Sequence, residues 1–341
     1  MTRYLLHRLL LTIPTLLGIT LLVFSLTRFV PGGPIEQMIT AAQLAGGEGG
    51  AHVKRDAASN STLSEEQLAQ LRAYYGFDKP VLVSYGQWLT RIVQLDLGLS
   101  TRYNEPVWDM IVSRIPISLF YGSITLLLTY GVCIPLGIAK ALRHDTRFDH
   151  WTSALVFLGY AVPNYVLGII LLSLFASHWD MFPLGGFVSD DFEDFTLAEK
   201  IRDVFDHAAL PIIAYMTGGF AVTTMVMKNS LLENLSRDYV RTAVAKGLSF
   251  RQAIFRHALR NSLIPLATSF GQALSIVLAG SFLIETIFNI DGMGLLGYES
   301  LVERDYPIVM GLLVISSALF LLGNILSDVC VAAIDPRVKF R

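Results

Sequence analysis

This chain lacks the residue patterns that do covalent chemistry. It contains no G-x-x-x-x-G-K-[ST] phosphate loop, no H-E-x-x-H and no G-x-S-x-G, so nucleotide hydrolysis, zinc proteolysis and serine-elbow acyl transfer have no local machinery. Its seven histidines are scattered, away from any metal-ligand spacing, and His144, His150 and His257 fall in or beside basic loops where a solvated imidazole is the ordinary role. The two cysteines, Cys133 and Cys330, sit inside apolar runs, so no disulfide framework is specified and compartment cannot be read from them. Charge is also short: Lys, Arg, Asp and Glu make up 16% of the 341 residues, against about 25% in a soluble domain. Hydrocarbon takes its place, with 53% hydrophobic residues and a mean hydropathy of +0.52. These absences argue against an enzyme and for an all-α integral membrane protein.

Six segments reach the roughly 20 residues a helix needs to cross a hydrocarbon layer of about 30 Å. They are predicted near 9–30, 115–138, 152–178, 208–227, 262–288 and 307–333. The first is too long for a cleavable signal peptide and is followed by RFVPGGP, which lacks a small-residue cleavage site. Lysine and arginine then set the orientation, because short positive loops stay in the cytoplasm. With both termini inside, the cytoplasmic segments hold Arg3 and Arg8, then Lys140, Arg143 and Arg147, then seven basic residues from Lys228 to Arg260, then Arg337, Lys339 and Arg341. The opposite loop, 179–207, is acidic.

The chain reads as two parts, 1–114 and 115–341. Residues 31–114, after the first span, form an outer segment too long for a connector. Within it 41–62 is rich in Gly, Ala and polar residues and is expected to be mobile. From Leu63 a helix capped by Ser64 runs to Gly76.

The most informative stretch is 238–265, DYVRTAVAKGLSFRQAIFRHALRNSLIP. A first helix is expected from Tyr239 to Lys246, closed by Gly247 in the left-handed conformation with Leu248 as its apolar contact. Ser249 and Gln252 form a capping box that starts a second helix. Tyr239, Thr242, Ala243 and Lys246 fall on one face. Gly271, Ser275 and Ala279 make a small-x-x-x-small stripe on the fifth span, expected to pack against a partner permease. Pro135, Pro163, Pro211 and Pro265 are expected to break or start helices. Glu285, near the outer end of that span, is read either as a group meeting water or as one lining a gate or path.

The 238–265 element resembles the coupling loop of the permeases of binding-protein-dependent ABC importers. The general pattern is Glu-Ala-Ala, three residues, then Gly; here Arg241, Thr242, Ala243 and Gly247 occupy those positions. The replaced glutamate, with AKG at 245–247 and HALRNSLIP at 257–265, is similar to the peptide-importing branch. So are PGGP at 31–34, YGFDKP at 75–80, DLGLS at 96–100, PLGIAKALR at 135–143, GYAVPNYVLG at 159–168, 285–311 and DPR at 335–337. FPLGGFVSDDF at 182–192 and MKNSLLENLSRDYV at 227–240 look most like the Yej-type importers of oligopeptides and peptide-nucleotide antibiotics such as microcin C.

The resemblance implies a multi-pass permease of the bacterial inner membrane, with coupling helices at 238–260 between the fourth and fifth of six transmembrane helices. It implies no cofactor on this chain, since ATP and Mg sit on one or two separate ATPase subunits. Tyr239, Arg241, Thr242, Ala243, Ala245, Lys246, Gly247 and Leu248 would meet that ATPase. The other partners implied are a second homologous permease, a periplasmic peptide-binding protein, peptide and membrane lipid. Competing readings of the basic loop are a plain topology determinant and a nucleic-acid helix-turn-helix; the latter conflicts with a loop pinned at both ends to the bilayer, so no nucleic acid is expected. The alternative function, an ion-coupled secondary peptide transporter, calls for mid-span carboxylates and repeat symmetry, and neither is apparent.

Overall fold

The computed structural model describes residues 2–29 and 79–334. The expected mobile stretch 41–62, the helix from Leu63 to Gly76, PGGP at 31–34 and the basic tail with DPR lie outside the described residues. Among those described, regular structure is helical apart from one isolated bridge between Leu99 and Pro106. The helices are α1 (Thr2–Phe29), α2 (Val81–Val93), α3 (Val107–Leu142), α4 (Arg147–Ala161), α5 (Asn164–Leu171), α6 (Leu197–Leu235), α7 (Asp238–Ala245), α8 (Phe250–Ala253), α9 (Leu259–Ser262), α10 (Ile264–Ala279), α11 (Phe282–Ile287), α12 (Met293–Val302) and α13 (Tyr306–Ile334).

Four of these are long and apolar enough to cross a membrane: Leu6–Ser25 within α1, then α3, α6 and α13. The predicted third span is not one straight helix. Val162 is extended and Pro163, whose ring blocks helical geometry before it, caps α5, so α4 and α5 with its π-turn extension to His178 meet at 93°. The predicted fifth span is likewise interrupted, because Gly280 at φ +77° ends α10 before α11 begins. Pro135 and Pro211 break nothing: each lies inside a continuous helix of 36 or 39 residues. The acidic loop 179–207 is shorter than read, since α6 already starts at Leu197 behind Thr196, whose backbone N–H donates to Glu199 at 2.8 Å.

The described residues divide into two compact units, one of 2–12, 114–296 and 318–334 and the other of 13–29, 79–113 and 297–317. In the smaller, α2 lies on α1: Thr20 and Tyr85 share a hydroxyl hydrogen bond of 2.9 Å, and the rings of Phe24, Tyr85 and Trp88 meet in a mutually tilted cluster. Buried Asp305 accepts from the Ser100 hydroxyl at 2.5 Å, tying the 94–106 loop to the start of α13.

In the larger unit two apolar clusters form, one around Tyr121, Leu210, Ile284 and Phe288, the other around Met227, Leu231, Val240, Ala243 and Ile254. Here the small-residue stripe finds its partner within the chain. Gly271 meets Gly323 of α13 so closely that a Cβ added at Gly271 would lie 1.6 Å from the Gly323 carbonyl oxygen. The buried Gly271 N–H donates to Ser327 Oγ at 2.7 Å, and Ser275 Oγ reaches the Leu319 carbonyl at 3.3 Å. The expected contact with another permease is thus replaced by α10–α13 packing. Ala279, the third residue of the stripe, has a side chain outside those described.

Candidate functional site

The 238–265 segment folds as two short helices joined by a tight turn. α7 ends in a complete Schellman motif: Leu248 N–H donates to Ala243 O at 3.2 Å and Gly247 N–H to Val244 O at 2.9 Å. Gly247 has φ +95°, which a residue without Cβ adopts freely. Leu248 packs onto the second apolar cluster. Ser249 and Gln252 then make the reciprocal capping box, at 3.1 and 3.3 Å, that starts α8. A π-turn over Ile254–Ala258 leads into α9 and from there into α10.

This element has an anchored face and an open face. Val240 and Ala243 are buried, packed with Leu231 and Ile254, which fixes α7 to the end of α6. The Tyr239 hydroxyl donates to Asn234 Oδ1 at 2.6 Å and accepts from Asn261 Nδ2 at 3.2 Å, adding a polar tie from α6 through α7 to α9. Arg241, Thr242, Val244, Ala245, Lys246 and Phe250 point outward. Ala243, 8% exposed, reaches only the wall of a recess beside that face. Its spacing of three residues from Val240 puts both on one face of α7, and nothing within the segment marks that face as the covered one.

Beside the open face lies a recess of about 450 Å³, lined among others by Tyr239, Thr242, Lys246, Arg256, His257 and Arg260 and by no acidic side chain. Arg260 Nε donates to the Ile334 carbonyl at 2.5 Å, closing one wall. Arg241 has Asp238 as an ionic neighbour at 3.9 Å, both largely solvated. Such an exposed pair contributes little, so its guanidinium is available to a partner. The face suits an incoming carboxylate and a small apolar contact.

Glu285 stands elsewhere, and neither sequence reading of it holds. Its carboxylate is 2% exposed, so it neither meets water nor lines an open path. It accepts from Tyr215 Oη at 3.2 Å and from the Ser281 and Leu295 N–H groups at 3.1 and 2.7 Å. Gly280, Gly292 and Gly294 make room for it: an added Cβ would come within 2.2, 2.6 and 3.0 Å of its carboxyl atoms. Glu285 clasps the loop between α11 and α12 instead. Among the described residues no three His, Cys, Asp or Glu side chains come together as a metal site.

Residues 133–340 match the family of binding-protein-dependent transport system inner membrane components. The chain is 40% identical to the peptidoglycan transport system permease protein YejB of Agrobacterium fabrum and 39% identical to the inner membrane ABC transporter permease protein YejB of Escherichia coli O157:H7, over all of this chain and 99% of each relative. It is 33% identical to the oligopeptide transport system permease protein AppB of Bacillus subtilis, over the full length of both. With the two-helix loop at 238–262 in place and relatives matched end to end, the chain belongs to this family, in the branch of the peptide permeases, and is a transporter subunit and not an enzyme.

Proposed function

We propose that this chain is the membrane-spanning half of an ATP-driven importer that passes oligopeptides from a periplasmic binding protein to the cytoplasm. The observation that carries the reading is the open face of α7, held rigidly to α6 by buried Val240 and Ala243 while Arg241, Thr242, Ala245 and Lys246 remain exposed. A helix so mounted receives a push and passes it into a transmembrane helix. In this reading the partner ATPase holds ATP and Mg and docks on that face, and a second homologous permease completes the pore.

Both termini and the 238–262 element lie in the cytoplasm, in line with the basic residues there, and the protein resides in the inner membrane. Six spans result when the bent α4–α5 pair and the interrupted α10–α11 stretch each count as one. α10 alone, at 16 residues, rises about 24 Å and needs its continuation. The outer segment 31–114 docks the binding protein, with 41–62 near its cleft; removing 43–60 should leave ATPase assembly intact and weaken peptide capture.

The cargo is of peptide class. The names of relatives point to oligopeptide and to peptidoglycan, which carries peptide stems, and peptide-nucleotide antibiotics such as microcin C share the peptide part. Purification of the chain in mild detergent tests the whole reading. A second permease, ATPase and periplasmic protein should copurify, and peptide transport by this chain alone in liposomes would refute it.

A further inference from the structure

Towards the C-terminal end of α6, three charged side chains are buried together. Lys140 of α3, Asp149 in the first turn of α4 and Lys228 of α6 are 0%, 2% and 7% exposed. Burying charges is costly unless they are paired, and here the pairing is asymmetric. Lys140 Nζ is satisfied largely by neutral oxygens: Thr152 Oγ1 at 2.9 Å, Ser153 Oγ at 2.7 Å and the Asp149 carbonyl at 3.1 Å, with the Asp149 carboxylate at 3.2 Å. Lys228 Nζ instead holds both carboxylate oxygens of Asp149, at 2.8 and 2.7 Å. Asp145 N–H and His144 Nδ1 complete the shell of that carboxylate, at 3.3 and 3.2 Å. Loss of the Asp149 carboxylate would leave Lys140 with three neutral acceptors and take from Lys228 both of the oxygens it holds.

The place of this pair matters. Lys228 lies two helical turns before the end of α6 at Leu235, and α7 begins at Asp238. One turn from Lys140, α3 and α6 cross so tightly that a Cβ at Gly137 would fall 2.7 Å from Met227 Cβ. Asp149 opens α4, the first limb of the span bent by 93° at Val162–Pro163. We propose that Asp149 is a positioning residue for transport: its bond to Lys228 sets the register of α6 against α3 and α4, so that displacement of α7 is carried into the bent α4–α5 span. In some systems a buried polar or ionic group fixes the register of packed helices. The inference rests on the coupling reading above.

The test uses the whole complex, with ATPase, second permease and binding protein, in liposomes, with a radiolabelled tryptic digest of casein as cargo. The readout is ATP hydrolysed per peptide imported, normalised to assembled complex. Asp149→Asn and Lys228→Met should raise that ratio about tenfold, inside the range of roughly 5- to 150-fold for couplings between sites. The double variant Asp149→Leu with Lys228→Met removes the pair, leaves Lys140 on its three neutral acceptors, and should recover assembly but not the ratio. A wild-type ratio in the double variant, or in both single ones, overturns the proposal, leaving the bridge a contributor to stability alone. Should the double variant not assemble, Asp149→Glu decides: its carboxylate is displaced by one methylene, so a raised ratio supports positioning and an unchanged one overturns it. Failure of the underlying reading looks different, since the wild-type complex itself would then show no peptide-stimulated hydrolysis.

Discussion

Gly271→Ala is a small change with a large expected effect. The new Cβ would sit 1.6 Å from the Gly323 carbonyl oxygen and 2.8 Å from Ser327 Oγ. Ordinary contact begins near 3.4 Å, so α10 and α13 must separate by about 1.8 Å at their crossing. That separation breaks the 2.7 Å bond from Gly271 N–H to Ser327 and the 3.3 Å bond from Ser275 to Leu319. Two lost hydrogen bonds cost about 2 kcal/mol, and overpacking adds about 1–3 kcal/mol. Better helix propensity returns about 1 kcal/mol. The net loss is about 3 kcal/mol, which at roughly 2.1 cal/mol/K per residue lowers the melting temperature by about 4 °C. Gly131→Ala in α3 is the internal control, because an added Cβ there meets no neighbour within 4 Å; it should be neutral or slightly stabilising. Thermal unfolding of both purified variants in the same detergent gives the answer. Equal melting temperatures for Gly271→Ala and the unaltered protein would refute the crossing.

Gly247→Val should impair peptide-stimulated ATP hydrolysis through backbone strain alone, about 1–3 kcal/mol, since φ is +95° and the space around it is open; Gly247→Asn should be much milder, and equal activity of the two would contradict this. A cysteine at exposed Ala245 should cross-link to the ATPase while one at buried Ala243 should not, as scored by mobility on a denaturing gel. Glu285→Ala should expose the 288–292 loop to limited proteolysis, because the Ser281 and Leu295 N–H groups lose their acceptor at about 1–3 kcal/mol for each buried group left unpaired.

Local chemistry was enough for the two-helix element. Gly247, Leu248, Ser249 and Gln252 act within a few residues of one another, so their turn and capping box are legible without knowledge of the rest of the chain. Long apolar runs likewise announce membrane helices, because hydrocarbon requires every backbone group to be bonded within its own segment. Proline, by contrast, misled: Pro135 and Pro211 are accommodated within long helices, while Pro163 marks a bend, and neighbours far along the chain decide between these outcomes.

Only the tertiary structure decided what each face touches. A stripe of small residues states that something comes close, and Gly323 of α13, 52 residues on, is what does. Ala243 and Ala245 are alike in sequence but opposite in exposure, because α7 is rolled onto Leu231 and Ile254. Glu285, read as meeting water or as lining a gate or path, is enclosed by glycines on either side of α11. Lys140 and Lys228 read as cytoplasmic loop charges, and with Asp149, 9 residues from one and 79 from the other, they fold into one buried bridge. Sequence by itself determines the local hydrogen bonds, whose partners lie a few residues away. Which distant side chains meet depends on helix rotation and crossing, and those are set by the packing of the whole unit.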